Sequence, residues 1–355
     1  MTTPALSSRT PSQEVCDFDI VAVGDRPLFV CADGGSGVYT WDPSDDRWTE
    51  HRFRQPHRPD EFHELYGVLP DEDDDYRISA VCAAVVDGRI VVGGGNYEES
   101  FALWDLHTGA VRMHTRLDQG GVQTAVAAEL DGRPHFLVGD QSAFPAFLRV
   151  WDATCSDGDG GGAAAAEPVR YDGHRDSIGG ITAGTLDGRP VVVSGGWDGT
   201  VLMWDAGKGA LLREFEPAAS VVGLALAAVG GRTRVVAIGD AEVLLGDPDT
   251  GEWRYCVDVF GELCGDEDDA DDEDDDDGPS VTCGDVGVVG GRPIAVTGSD
   301  DGAVCVWSLE EGRLLLGPLT AHDGEVRAVR ITELNGRPAV AAAGQGGYMH
   351  VWHLD

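Results

Sequence analysis

The chain has 355 residues, with 63 acidic against 25 basic side chains and a formal net charge of -38 at pH 7. A field of that sign repels phosphate backbones and anionic membrane surfaces, which excludes nucleic acid and lipid surfaces as first expectations for a partner. No stretch approaches about 18 consecutive apolar residues, and the opening MTTPALSSRTPSQEV has neither a basic start nor an apolar core, so no membrane span and no conventional export signal are expected.

Gly 50 and Trp 9 are high for the length and suit many tight turns with a repeated packing anchor. The eight Cys are scattered, several inside strand-like runs such as Phe29-Val30-Cys31 and Val304-Cys305-Val306. Buried reduced thiols in a cytoplasmic protein are the expectation.

In chain order, a first hairpin turn is predicted at Gly24-Asp25-Arg26-Pro27. The signal returns at Asp87-Gly88-Arg89-Ile90, Asp131-Gly132-Arg133-Pro134, Asp187-Gly188-Arg189-Pro190, Gly230-Gly231-Arg232-Thr233, Gly290-Gly291-Arg292-Pro293 and Asn335-Gly336-Arg337-Pro338. Seven copies imply a period of roughly 50, in the range of propeller blades. Each copy has the same order. An apolar run ends at the turn, where Gly accepts the positive φ of a tight hairpin, and Pro opens the next strand where its missing N–H costs least. A second apolar run follows, such as Val191-Val192-Val193, then a Gly-rich turn and a third strand. The third strands end at Trp41-Asp42, Trp104-Asp105, Trp151-Asp152, Trp204-Asp205, Gly246-Asp247, Trp307-Ser308 and Trp352-His353. A fourth, more polar run completes the unit. Four short strands cannot bury their own faces, so neighbouring units must stack.

On these turns and Trp-Asp endings the chain resembles the WD40 repeat family of β-propellers over nearly its whole length. The resemblance implies an all-β fold: one seven-bladed β-propeller of four-stranded antiparallel sheets spanning 1–355. The last unit supplies only three strands, and the resemblance assigns its missing outer strand to the N-terminus, near 5–9. It also implies that His174, Ser194, Asp198 and Trp204, in the best-preserved copy, form a buried polar network. Each group is costly to bury alone and tolerable in company. The sixth copy has Thr297, Asp301 and Trp307 but no approach His. The seventh has His322 and Trp352 but Gly346 in place of the turn Asp, and the fifth loses its Trp at Gly246.

Three insertions interrupt the repeats, at about 55–76, 155–167 and 261–279. The first and third follow a fourth strand and share a face; the second emerges on the opposite face. In the first, Phe62, Leu65 and Tyr66 fall at helical spacing and form an apolar side for docking or for a partner. The third holds Asp266, Glu267, Asp268, Asp269, Asp274, Asp275, Asp276 and Asp277, a run that reads as solvated or as a cation-attracting arm. It lacks EF-hand spacing, and His51, His57 and His63 match no compact zinc motif. G-x-S-x-G is absent from the SGGWDGTVLMWD stretch, and H-E-x-x-H and a P-loop are absent altogether, so no catalytic residue, cofactor or metal is assigned. The expected function is non-enzymatic: an interaction or scaffold module presenting an acidic, loop-decorated face to a peptide or protein, with a basic partner favoured. The alternative is a propeller enzyme or metal-dependent activity with residues converging at the axial channel or on the insertion-bearing face. Abundant Ala, Gly, Asp and Arg suggest a bacterial source.

Overall fold

The computed structural model of the chain describes residues 3–54, 77–96, 100–117, 120–142, 145–154, 168–217, 220–261, 279–320 and 322–354. They form seven four-stranded antiparallel sheets set radially around an axis. Strand β1 (Leu6–Arg9) is separated from the strands that follow it and joins the last blade. Blade 1 holds β2 (Asp17–Val23), β3 (Arg26–Ala32), β4 (Val38–Asp42) and β5 (Arg47–His51). Blade 2 holds β6 (Ala80–Val86), β7 (Arg89–Asn96), β8 (Ser100–Asp105) and β9 (Val111–Arg116). Blade 3 holds β10 (Gly121–Leu130), β11 (Arg133–Gln141), β12 (Ala146–Asp152) and β13 (Val169–His174). Blade 4 holds β14 (Ile178–Leu186), β15 (Arg189–Gly196), β16 (Val201–Asp205) and β17 (Leu211–Phe215). Blade 5 holds β18 (Val221–Val229), β19 (Arg232–Gly239), β20 (Glu242–Gly246) and β21 (Trp253–Asp258). Blade 6 holds β22 (Val281–Val289), β23 (Arg292–Ser299), β24 (Ala303–Ser308) and β25 (Arg313–Thr320). Blade 7 combines β26 (Val326–Leu334), β27 (Arg337–Gly344) and β28 (Tyr348–His353) with β1, which pairs antiparallel to β28 from Leu6↔Val351 to Arg9↔Tyr348.

The recurring turns explain the inner hairpins. At Asp131-Gly132 φ is 50° and 73°, and Asp187-Gly188 and Asn335-Gly336 repeat the pattern, with both central residues positive as in a type I′ turn. That geometry matches the strand twist, so the hairpin register is set locally.

Burial follows the gaps between blades. Seven apolar clusters lie one in each gap, the last joining Phe18, Phe29 and Trp41 of blade 1 to Ala339, Ala341 and Ala343 of blade 7. Six cysteines among the described residues are free, four of them buried. Among those residues no helix is long and apolar enough to cross a membrane.

The fifth blade has no tryptophan at the end of its third strand, as expected at Gly246, yet an indole from another strand takes up the space. Gly246 stands at the Trp position, and Trp253 of the outer strand pairs with it across the sheet and fills its space, with ring atoms 2.8 Å from where a Cβ would lie. The indole reaches the same gap from the neighbouring strand. Trp253 packs edge-on against Phe215 of blade 4, with centroids 5.9 Å apart. Trp253→Ala should therefore lower stability by about 2 to 3 kcal/mol, measured by urea unfolding, although the outer strands are otherwise mostly solvent-facing.

Candidate functional site

The seven inner strands begin on one face and surround an axial cavity of about 540 Å³. Each blade contributes near the start of its inner strand: Cys16, Ser79, Gln123, Gly179, Val222, Thr282 and Arg327 all line it. The insertions at 55–76 and 262–278 join β5 to β6 and β21 to β22, so both rejoin the described chain a few residues before the cavity wall, at Ser79 and Thr282. Phe62, Leu65, Tyr66 and the acidic run Asp266, Glu267, Asp268, Asp269, Asp274, Asp275, Asp276 and Asp277 lie outside the described residues, as does 155–167 between β12 and β13.

Charge gathers on one side of the cavity. Asp17 accepts hydrogen bonds from the Phe18 amide (2.8 Å) and, across the gap to blade 2, from the Val81 amide (2.9 Å). Asp19 does the same with Ile20 and Ala83, both at 2.8 Å, and Asp285 ties blade 6 to the Ile331 amide of blade 7 at 2.7 Å. Arg330 of blade 7 completes the group, donating from Nη2 to Asp17 at 3.1 Å and from Nη1 to its own strand at Val329. Three carboxylates thus share one guanidinium. Burial pushes the Asp17 carboxyl up to about 6 against the pull of Arg330, and burial likewise raises Asp19 and Asp285. Nearer the mouth, Arg327 lies 3.2 Å from Glu325 and 3.9 Å from Glu14, and donates to Cys16 Sγ at 3.2 Å.

The opposite wall is small and apolar, with Gly179, Gly180, Gly223 and Leu224. Gly179 is required there, since a Cβ would lie 2.2 Å from the Val221 carbonyl and 2.8 Å from Trp197 Nε1. Trp197, in the turn between β15 and β16, stands 43% exposed on the cavity rim. Gln123 Oε1 is buried in the wall with no hydrogen-bond partner among the described residues. No group of three or more His, Cys, Asp or Glu suited to a metal ion occurs among those residues. Sequence reasoning missed Asp17, Asp19, Asp285, Arg330 and Trp197. The available signal was charge inside inner strands that otherwise read apolar, DFDIVAV and TCGDVGVV, and a bare indole in a turn of polar residues.

His174, Ser194, Asp198 and Trp204 meet between blades 3 and 4. His174 Nε2 lies 2.9 Å from Ser194 Oγ and Nδ1 lies 3.3 Å from both Asp198 oxygens; Trp204 Nε1 donates to Ser194 Oγ at 3.4 Å. Asp198 also accepts from the Arg175 amide at 2.6 Å and the Thr200 hydroxyl at 2.7 Å. Burial works against its charge, but the bonds from His174, Arg175 and Thr200 prevail and hold the carboxyl well below the usual range. Gly196 makes room for the pair, as a Cβ there would lie 2.5 Å from Asp198 Oδ1. Ser194 has 0% exposure, so its hydroxyl has no approach for a substrate. The group joins two blades.

Asp198→Ala should lower stability by about 1 to 3 kcal/mol in urea unfolding. Because the folded carboxyl is depressed, its contribution is full above the ordinary carboxylate range and is lost as pH falls below it, so the wild-type advantage over the variant should shrink on acidification. A sequence profile described as WD domain, G-beta repeat, matches residues 167–205, which span this network and end at Asp205. A computationally designed protein, Ika8, known from a crystal structure, is similar in fold, with a TM-score of 0.60 and 18% identity over 99% of this chain and 100% of its own. No curated protein matches the chain.

Proposed function

We propose that the chain is a divergent, bacterial-type WD40-like propeller that works in the cytoplasm as a non-enzymatic interaction module. It takes a basic peptide or protein segment over the axial cavity on the face where the inner strands begin. The observation that carries this reading is the cavity itself, to which all seven blades contribute and in which Asp17, Asp19 and Asp285 outnumber Arg330. A cationic side chain entering it meets uncompensated carboxylate, and Trp197 offers a flat face at the rim for a guanidinium or an aliphatic stem. The net charge of -38 adds steering for a basic partner and disfavours nucleic acid and anionic membranes.

The test uses an arginine-containing hexapeptide, its citrulline counterpart and fluorescence anisotropy. The arginine peptide should bind more tightly, and Trp197→Ala should weaken it roughly tenfold without changing the thermal midpoint. With Asp17 titrating near 6, affinity should fall between pH 7 and pH 5 as the carboxyl takes up its proton. Equal binding of the citrulline peptide would overturn the reading. For a partner captured with the intact chain, removal of residues 266–277 should slow association and flatten its salt dependence.

A further inference from the structure

The His174 ring, at the end of β13 in blade 3, is held at both nitrogens by Ser194 and Asp198 of blade 4. Strand register matches Ser194, Leu202 and Trp204 of that blade to Ala342, His350 and Trp352 of blade 7. Along the following turn, Asp198 and Thr200 correspond to Gly346 and Tyr348. His322 stands where His174 does, and its hydroxyl and carboxylate partners are gone. Neither of its ring nitrogens has a hydrogen-bond partner among the described residues, and the side chain is only 9% exposed. Its ring meets that of His350 edge to face, with centroids 4.8 Å apart at 81°. His350 in turn stacks with Tyr348 at 5.7 Å and 12°.

This pair sits beneath the segment that closes the ring. His350 is directly opposite Ser7 in the β1–β28 ladder, and Tyr348 is opposite Arg9. The segment continues over the next turn, where the Thr10 amide and hydroxyl donate to the Gly347 carbonyl at 2.9 and 3.2 Å and Glu14 bridges to Gln345.

We propose that the closure of the ring is an acid-sensitive latch, in which protonation of His322, packed against His350, releases the N-terminal segment, β1 through Glu14, from blade 7 while the other six blades stay intact. A charged His322 ring would find no acceptor among the described residues and would face a second imidazole. The charged groups on the surrounding elements are Asp300 and Asp301 in the β23–β24 turn, Asp323 and Glu325 beside His322, Arg327 on β26, Arg9 on β1, and Glu14. None of them sets its titration: burial first, then His350, lowers its pKa to about 4. The closed form therefore holds a neutral ring, whereas an opened form exposes it at its ordinary 6.5. Opening takes up a proton between those values, so closure is fully favoured above about 6.5 and loses ground as pH falls toward 4.

Hydrogen exchange of the full chain at pH 7 and pH 5, corrected for intrinsic rates, tests the proposal. The opening constant of the β1 amides should rise about 20-fold at pH 5, while β17, the outer strand of blade 4, stays within about threefold of its pH 7 value. His322→Gln should abolish the step, and Ala342→Ser, which returns a hydroxyl to the position Ser194 has in blade 4, should shrink it. Unchanged β1 protection at pH 5, loosening of all outer strands together, or a full step retained in His322→Gln would each overturn the latch. The wild-type comparison alone decides the first two outcomes, so the test stands even where a variant fails to fold.

Discussion

Seven small sheets, each unable to bury its own faces, are stable only as a closed ring, and across one of their seven gaps the chain passes from β1, the outer strand of the last blade, into β2 of the first. That gap lies between blades 7 and 1. Its apolar filling is lopsided, with aromatic Phe18, Phe29 and Trp41 against the alanines of β27. Polar ties reinforce it at three depths. On the axis, Arg330 reaches Asp17. At the mouth, Arg327 meets Glu14 and Cys16. On the outside, Ser8 of β1 donates to Asp46 of blade 1 and accepts from Trp48 at 2.8 Å, while Trp41 also donates to Asp46 at 3.0 Å. The seam carries much of the charge that lines the cavity, because charge used to hold blades 7 and 1 together is also charge displayed there.

The same slot in each blade has been filled by different means. The third-strand indole donates to Ser194 in blade 4, to Thr297 at 2.9 Å in blade 6, to Asp46 in blade 1 and to the Arg54 carbonyl at 3.0 Å in blade 2. Blade 3 puts Val138 where blade 4 has Ser194, and Arg149 where it has Leu202; that guanidinium pairs with buried Asp140 instead. In blades 1, 2, 4 and 6 the indole N–H thus finds an acceptor from different residue sets, whereas Trp151, Trp253 and Trp352 have an indole N–H with no partner among the described residues. The divergence explains why a repeat profile aligns with a single blade while the fold is repeated seven times.

The parts of this architecture that depend on neighbours in sequence were readable. Two-residue turns with positive φ at both positions are met here by Asp-Gly, Asn-Gly or Gly-Gly, and Trp-Asp marks a strand end, so hairpins and blade number followed from local patterns, whereas the closing strand near 5–9 followed from the family resemblance. The cross-blade ties were not readable. Asp17 meets the Val81 amide, and Arg330 meets Asp17, across distances in sequence that no spacing rule encodes. Trp253 was hidden for a different reason: it lies on a strand expected to be polar and acts by filling the space beside Gly246. The cavity wall, including Trp197, is likewise a product of seven separate strand starts brought together.

The order of synthesis adds a consequence to the pairing of β1 with β28. The first strand emerges from the ribosome long before its partner exists, and at roughly 5 to 20 residues per second the wait is tens of seconds. Through that time it is a free strand edge, the kind of element that invites wrong pairing with other nascent chains. Its sequence, Leu-Ser-Ser-Arg, carries one large apolar residue and a charge, and so has little tendency to find another partner while it waits. The weakness of β1 as an isolated strand is thus what allows the ring to be finished last.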